Sequence, residues 1–252
     1  MNRQQALFEY LLRLGDNALI LGQRLTEWIG HAPALEEEMG SANIALDLIG
    51  QARGWLAYAG TVEGAGRDED DLAFQRDVMN FRNVLLVEQP NGHYGDTIAR
   101  QYLFDAFHYP LLTALSACTD QSIAGIAAKA SKEAAYHRRR SAEWVIRLGD
   151  GTAESHAKLQ QSFDTLWPYT GELFALDEVD HTLRRTGVAA DLTAVRREWH
   201  EHVTRTLAGA TLVPPQEGWM QSGGKQGRHS EQLGYVLAEM QFLPRAYRDA
   251  RW

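Results

Sequence analysis

Leu7, Leu11, Leu14, Ala18, Leu21, Leu25 and Trp28 follow one another at alternating steps of four and three, which winds them into one apolar stripe and predicts a helix over about residues 4–29. The run Gly30-His31-Ala32-Pro33 ends it. Leu35, Met39, Ala42, Leu46 and Ile49 repeat the pattern, so a second helix starts near Leu35 and ends between Gly60 and Gly66, antiparallel to the first. A shorter helix is expected over Leu72–Val87, stopped by the Gln89-Pro90-Asn91-Gly92 turn. A third long helix runs from an Asp96 cap to about Ala117 with a kink at Pro110, and a fourth covers about 122–149. Helices near 153–166, 177–186, 192–208 and 230–249 follow, with a Pro/Gly-rich loop at 213–228. Phe8, Leu12 and Leu19 lie on the side of the first helix away from its stripe, so a second apolar face there needs a partner or an accessory helix.

The prolines, at 33, 90, 110, 168, 214, 215 and 244, leave long stretches of good helix formers between them, and no run alternates β-branched and polar residues with a period of two. The fold class is all-α. Four long helices with a crossing segment between the second and third predict a ferritin-like four-helix bundle in about residues 1–150, accessory helices in about 151–252, and a single domain over 1–252.

Composition narrows the function. Lys plus Arg is 25 against 33 for Asp plus Glu, a net charge of −8 that argues against nucleic acid as a partner. Cys118 is the only cysteine, which excludes disulfide scaffolds and four-cysteine zinc sites. No apolar run reaches the ~18–20 residues of a membrane span, and Glu9 and Arg13 interrupt the N-terminal apolar stretch where a signal peptide would need continuity. By elimination the chain is expected in the cytoplasm.

A bundle of this kind commonly holds two irons with one Glu from each of two helices and a Glu-x-x-His pair from each of the others. At mid-height this sequence offers Asp16 and Asn17, then Asn43, Asp47 and Gln51, then Asp105 and His108, then Glu133 and His137. Three residues after Asp47 stands Gly50, and three after Glu133 stands Tyr136, where imidazoles would be required. The set Asp16, Asp47, Asp105, His108, Glu133 and His137 is therefore expected to be a vestigial polar layer with no catalytic, cofactor-binding or metal-ligating residue. In it Asp105, His108, Glu133 and His137 would satisfy one another by hydrogen bonds. Glu178-x-x-His181 has ligand spacing but belongs to a short solvated helix, and His200 and His202 point to nearly opposite sides of theirs. The aromatic group of Trp167, Tyr169 and Phe174 is expected to be packing.

Six segments carry a resemblance. Arg13-Leu-Gly-Asp-Asn17, Asn43-Ile-Ala-Leu-Asp-Leu-Ile-Gly-Gln-Ala-Arg53, Leu86-Val-Glu-Gln-Pro-Asn-Gly92, Ala99-Arg-Gln-Tyr-Leu-Phe-Asp105, Glu143-Trp-Val-Ile-Arg-Leu-Gly-Asp150 and Leu237-Ala-Glu-Met-Gln241 are similar to the C-subunit family of ring-1,2-phenylacetyl-CoA epoxidases, in order and over the whole chain. The resemblance implies a structural, non-catalytic subunit of a bacterial multicomponent monooxygenase in aerobic phenylacetate catabolism. It also implies a partner A subunit that carries the di-iron centre, and a reductase with FAD and an iron–sulfur cluster that takes electrons from NADPH. Without that partner the chain is expected to pair with itself as a homodimer. The alternative, a self-sufficient di-iron oxygenase or oxidase, is disfavoured by the missing imidazoles.

Overall fold

The computed structural model describes residues 1–216 and 218–247. In chain order the elements are α1 (Arg3–Thr26), α2 (Leu35–Glu63), α3 (Glu69–Phe74), α4 (Tyr94–Leu115), α5 (Gln121–Gly149), α6 (Ala153–Leu166), α7 (Gly171–Phe174), α8 (Glu178–Arg184), α9 (Leu192–Gly209) and α10 (Glu231–Ala246), with short 3₁₀ turns between some of them. The last two positions of the helix expected over 230–249 lie outside the described residues. Among the described residues there is no strand, and the all-α class holds. The chain forms two compact units, one of Met1–Gln89 with the segment from Gly223 on, the other of Pro90–Ser222.

In the first unit α1 is buried on every side from Tyr10 to Gly22, as a helix at the centre of a core must be. A capping box between Asn2 and Gln5 starts it. The α2 helix packs antiparallel along it: Gln4 Nε2, at the start of α1, donates to Val62 O, at the end of α2, over 2.7 Å. The buried side of α2 carries Ile44, Leu48, Trp55 and Leu56, with Ala45, Ala52 and Ala59 repeating every seven residues between them. Gly15 faces this side, and a Cβ there would come within 2.7 Å of Leu56 Cδ2, so the glycine sets how closely the two helices approach. Gly64, in the left-handed conformation at φ 71°, caps α2.

One expectation fails here. Leu35, Met39 and Leu46 are 68%, 59% and 66% exposed, so the stripe that signals α2 is its outer face. Helix α2 is apolar on more than one side, and the alanine-lined side wins because small residues let α1 come close. Leu12 and Leu19, on the second apolar face of α1, are buried within the chain and Phe8 is half-buried; α10 packs on α1, in line with the accessory helix expected for that face.

The helix expected over Leu72–Val87 is also replaced. It stops at Phe74, a 3₁₀ turn covers Val78–Asn80, and Phe81–Gln89 forms a buried non-helical strap. Side chains of α1 take over the backbone donors that a helix would have used: Asp16 accepts from Arg82 N at 2.8 Å and Asn17 from Val84 N at 2.8 Å. Phe81, Val84, Leu86 and Val87 are thereby buried almost completely.

In the second unit α4 and α5 form another antiparallel pair, with Tyr94 against Trp144 at one end and Arg138 over the Tyr109 ring further along. The cap of α4 is His93 rather than Asp96; the two form a reciprocal capping box, with Asp96 in the third helical position. The α4 helix continues through Pro110. Helices α6 and α9 cover α4, with Phe163 against Tyr102 and the Trp199 indole N–H donating to Leu103 O at 3.0 Å.

Candidate functional site: buried polar clusters in each unit

In the first unit Asp16, with no exposure, is held by both terminal nitrogens of Arg76 and by the Arg82 backbone N–H. Arg76 is also buried. It donates to Leu72 O and Asn80 O and lies 4.3 Å from the centroid of the Phe81 ring. A guanidinium therefore occupies the electrostatic place that a cation would need near this carboxylate. On α2 Asp47 and Asn43 do not reach the core; Asp47 is half-buried and Asn43 exposed. Gly50 is exposed as well, with open space where a Cβ would stand, so an imidazole at that position would point outward.

A second cluster in this unit is one that sequence reasoning misses. The Glu88 carboxylate accepts from Asn83 Nδ2 at 2.9 Å and Ser230 N at 2.7 Å and pairs with His229 Nδ1 at 2.8 Å, while His229 Nε2 lies 3.1 Å from Phe81 O. Arg24 Nη2 donates to Glu88 O at 2.7 Å. These contacts tie α1, the strap and the entry to α10 together. The only sequence signal is an acidic residue directly after the apolar run Val84–Val87, which as a buried carboxylate requires partners.

In the second unit Asp105, His108 and His137 are buried and Glu133 is half-buried. Asp105 accepts from Gln101 Nε2 at 2.8 Å and Ser141 Oγ at 2.9 Å. Burial pushes its carboxyl up to about 6, opposed by the nearby His137 and by those two hydrogen bonds. His108 does not join the expected hydrogen-bonded set. It packs at a tilt of 40° against Phe104 with centroids 4.9 Å apart, its Nδ1 is buried without a partner, and burial, then His137, pushes it down to about 3. The imidazole is thus neutral at physiological pH and behaves as an aromatic filler.

The donor set does not fit a pair of irons. Asp16 is committed to Arg76, and Asp105 to an amide and a hydroxyl. On α5 the residue three after Glu133 is Tyr136, 42% exposed, while the inward position, four after, holds His137. Glu133, at the half-buried edge of the helix, and the buried His137 are thus four residues apart, without the three-residue spacing of a Glu-x-x-His pair. Among the described residues no three His, Cys, Asp or Glu side chains are placed to share a metal ion. Glu178 and His181 sit on the exposed face of α8. His200 is exposed, whereas His202 turns inward and meets the Tyr102 hydroxyl at 2.9 Å.

Among the described residues, long antiparallel helix pairs with buried carboxylates engaged by arginine, amide and hydroxyl groups define a ferritin-like, all-helical protein. The chain belongs to the phenylacetic acid catabolic protein family, whose sequence profile matches residues 1–252. It is 52% identical over 246 residues to the C subunit of 1,2-phenylacetyl-CoA epoxidase from Escherichia coli strain K12, an alignment that covers 98% of this chain and 99% of that protein. No helix among the described residues is long and apolar enough to cross a membrane.

Proposed function

We propose that this protein is the structural, non-catalytic C subunit of a phenylacetyl-CoA 1,2-epoxidase in phenylacetate catabolism, working in the cytoplasm against a di-iron A subunit. The observation that carries this reading is the 52% identity, end to end, with the C subunit of such an epoxidase. The donor geometry supports it, since neither the Asp16 nor the Asp105 cluster offers a Glu-x-x-His pair. Catalytic iron then belongs to the A subunit, and FAD, the iron–sulfur cluster and NADPH to the reductase of the complex. The unbroken family match over residues 1–252 supports reading the chain as one ferritin-like domain.

Two measurements test this. Expression in iron-rich medium followed by elemental analysis should find far less than one iron per purified chain, because ligand number and geometry set metal affinity. Close to two irons per chain would favour the self-sufficient oxygenase. Co-expression with the A subunit should yield one complex on a sizing column, and we assign its docking face to the exposed apolar side of α2. Leu46→Glu, on that side, should cut the yield of complex several-fold with no change in melting temperature. Recovery of only separate species from the parent pair would overturn the subunit reading.

A further inference from the structure

We propose that the cleft formed by α7, α9 and the loop after α9 binds a small aromatic carboxylate. The proposal does not depend on the subunit reading. The cleft encloses about 450 Å³. An engineered cavity of ~150 Å³ holds benzene, and small-molecule sites commonly measure ~300–1,000 Å³, so there is room for a ring with a short substituent.

The walls specify the chemistry. Trp167 and Phe174 flank Trp199, with ring centroids 5.4 and 5.3 Å from it. The Trp199 N–H is already given to Leu103 O, so this ring offers the cleft only carbon. Along α9, Arg196, Trp199, His200 and Val203 fall at steps of three and four on the lining face, which therefore passes from basic to apolar along the helix. Arg196 is exposed, 6.0 Å from the Phe174 ring centroid, and neither it nor His200 has a hydrogen bond or ion pair among the described residues. Glu172, also in the lining, is 2% exposed and already has partners within the protein.

In a chain of net charge −8, Arg196 is a guanidinium without an ion pair among the described residues, at the edge of an aromatic wall, 6.0 Å from the Phe174 ring. A guanidinium pairs a carboxylate through two parallel hydrogen bonds, and the rings receive an aromatic body edge-on or offset. A ligand carrying both groups satisfies the cleft; a neutral ring or a non-aromatic acid satisfies half of it.

The test is calorimetric titration of the full chain with three probes: indole-3-acetate, its neutral analogue indole-3-acetamide, and the non-aromatic cyclohexylacetate. We expect saturable one-to-one binding of indole-3-acetate, at least tenfold tighter than either of the others. Arg196→Met should weaken the acid about tenfold and leave the amide unchanged. Met220→Trp, which fills the cleft opposite Gly171, should abolish binding of all three, with both variants melting like the parent. Absence of saturable binding up to millimolar acid, equal affinity for acid and amide, or acid binding that survives both substitutions would overturn the proposal.

Discussion

Asp16→Asn is expected to lower the stability of the protein by about 3–5 kcal/mol, the cost of stranding a buried charge whose partner has been removed. The charge stranded is the Arg76 guanidinium, which is 4% exposed and has its remaining donors committed to Leu72 O and Asn80 O. Since natural domains are held by ~5–15 kcal/mol, the loss is a large share of the total. For a chain of this size it corresponds to a fall in Tm on the order of 10 °C. Arg76→Met alone should cost a similar amount, because it leaves the Asp16 carboxylate buried with one backbone donor, Arg82 N. The double variant Asp16→Leu/Arg76→Met removes both charges and should regain much of the loss, so a cycle closed with the single variants Asp16→Leu and Arg76→Met shows strong coupling. The same variants should loosen the Phe81–Gln89 strap, because Asp16 holds Arg82 N as well as Arg76, and faster amide exchange at Arg82 and Val84 would show it. A melting temperature within about 2 °C of the parent for Asp16→Asn would mean that water reaches the site and that the pair is not structural glue.

This pair also marks where the sequence stops being readable. Periodicity identifies α1, α2, α4, α5, α6 and α9 to within a few residues, because each has a strong apolar repeat or a clear stop such as Pro33 or Gly151. It fails over Leu72–Val87, where helix propensity is adequate but Asp16 and Asn17, more than sixty residues upstream, bind the backbone in competition with it. No local pattern can register a competitor that distant. The register of α2 fails for a related reason. Its residues offer two apolar stripes, and the choice is made by Gly15 and Ala45 at the contact, a matter of fit between two helices.

The candidate residues divide in the same way. Asp16, Asp105, His108 and His137 stand out as polar residues at the middle of apolar helices, and all four are buried. Their partners are not legible: Arg76, Gln101 and Ser141 carry no unusual spacing, and only the three-dimensional course of the chain selects them. Asp47 and Glu133 are only half-buried, which a count of residues along a helix of unknown rotation does not reveal. The aromatic group around Pro168, expected as packing, does pack, but it does so while leaving one side open as the cleft wall.

The cluster around Asp105 leads to an expected pH response that is hidden in the parent and visible in each single variant. In the folded chain Asp105 titrates at about 6 against 3.8 for an ordinary Asp, so its stabilising contribution is complete below 3.8 and is lost as the pH rises through 6. His108 does the reverse: it titrates at about 3 against 6.5, and its contribution is complete above 6.5 and is lost as the pH falls towards 3. Between about pH 4 and 6 the folded chain holds a proton on Asp105 that the unfolded chain has released, and lacks one on His108 that the unfolded chain has bound. The two differences cancel, and the pair contributes no slope there. Asp105→Asn removes one side of the balance. Its unfolding free energy, relative to the parent at each pH, should rise by about 2–3 kcal/mol from pH 4 to 6, close to the limit of ~1.4 kcal/mol per pH unit for one proton. His108→Leu removes the other, and its unfolding free energy relative to the parent should fall by a similar amount over the same range. Urea unfolding of the three proteins at pH 4, 5 and 6 checks this, and subtraction of the parent removes the shared response of the remaining carboxylates. Variants whose stabilities run parallel to the parent across that range would show that Asp105 is charged and His108 solvated in the folded protein, contrary to the burial of both.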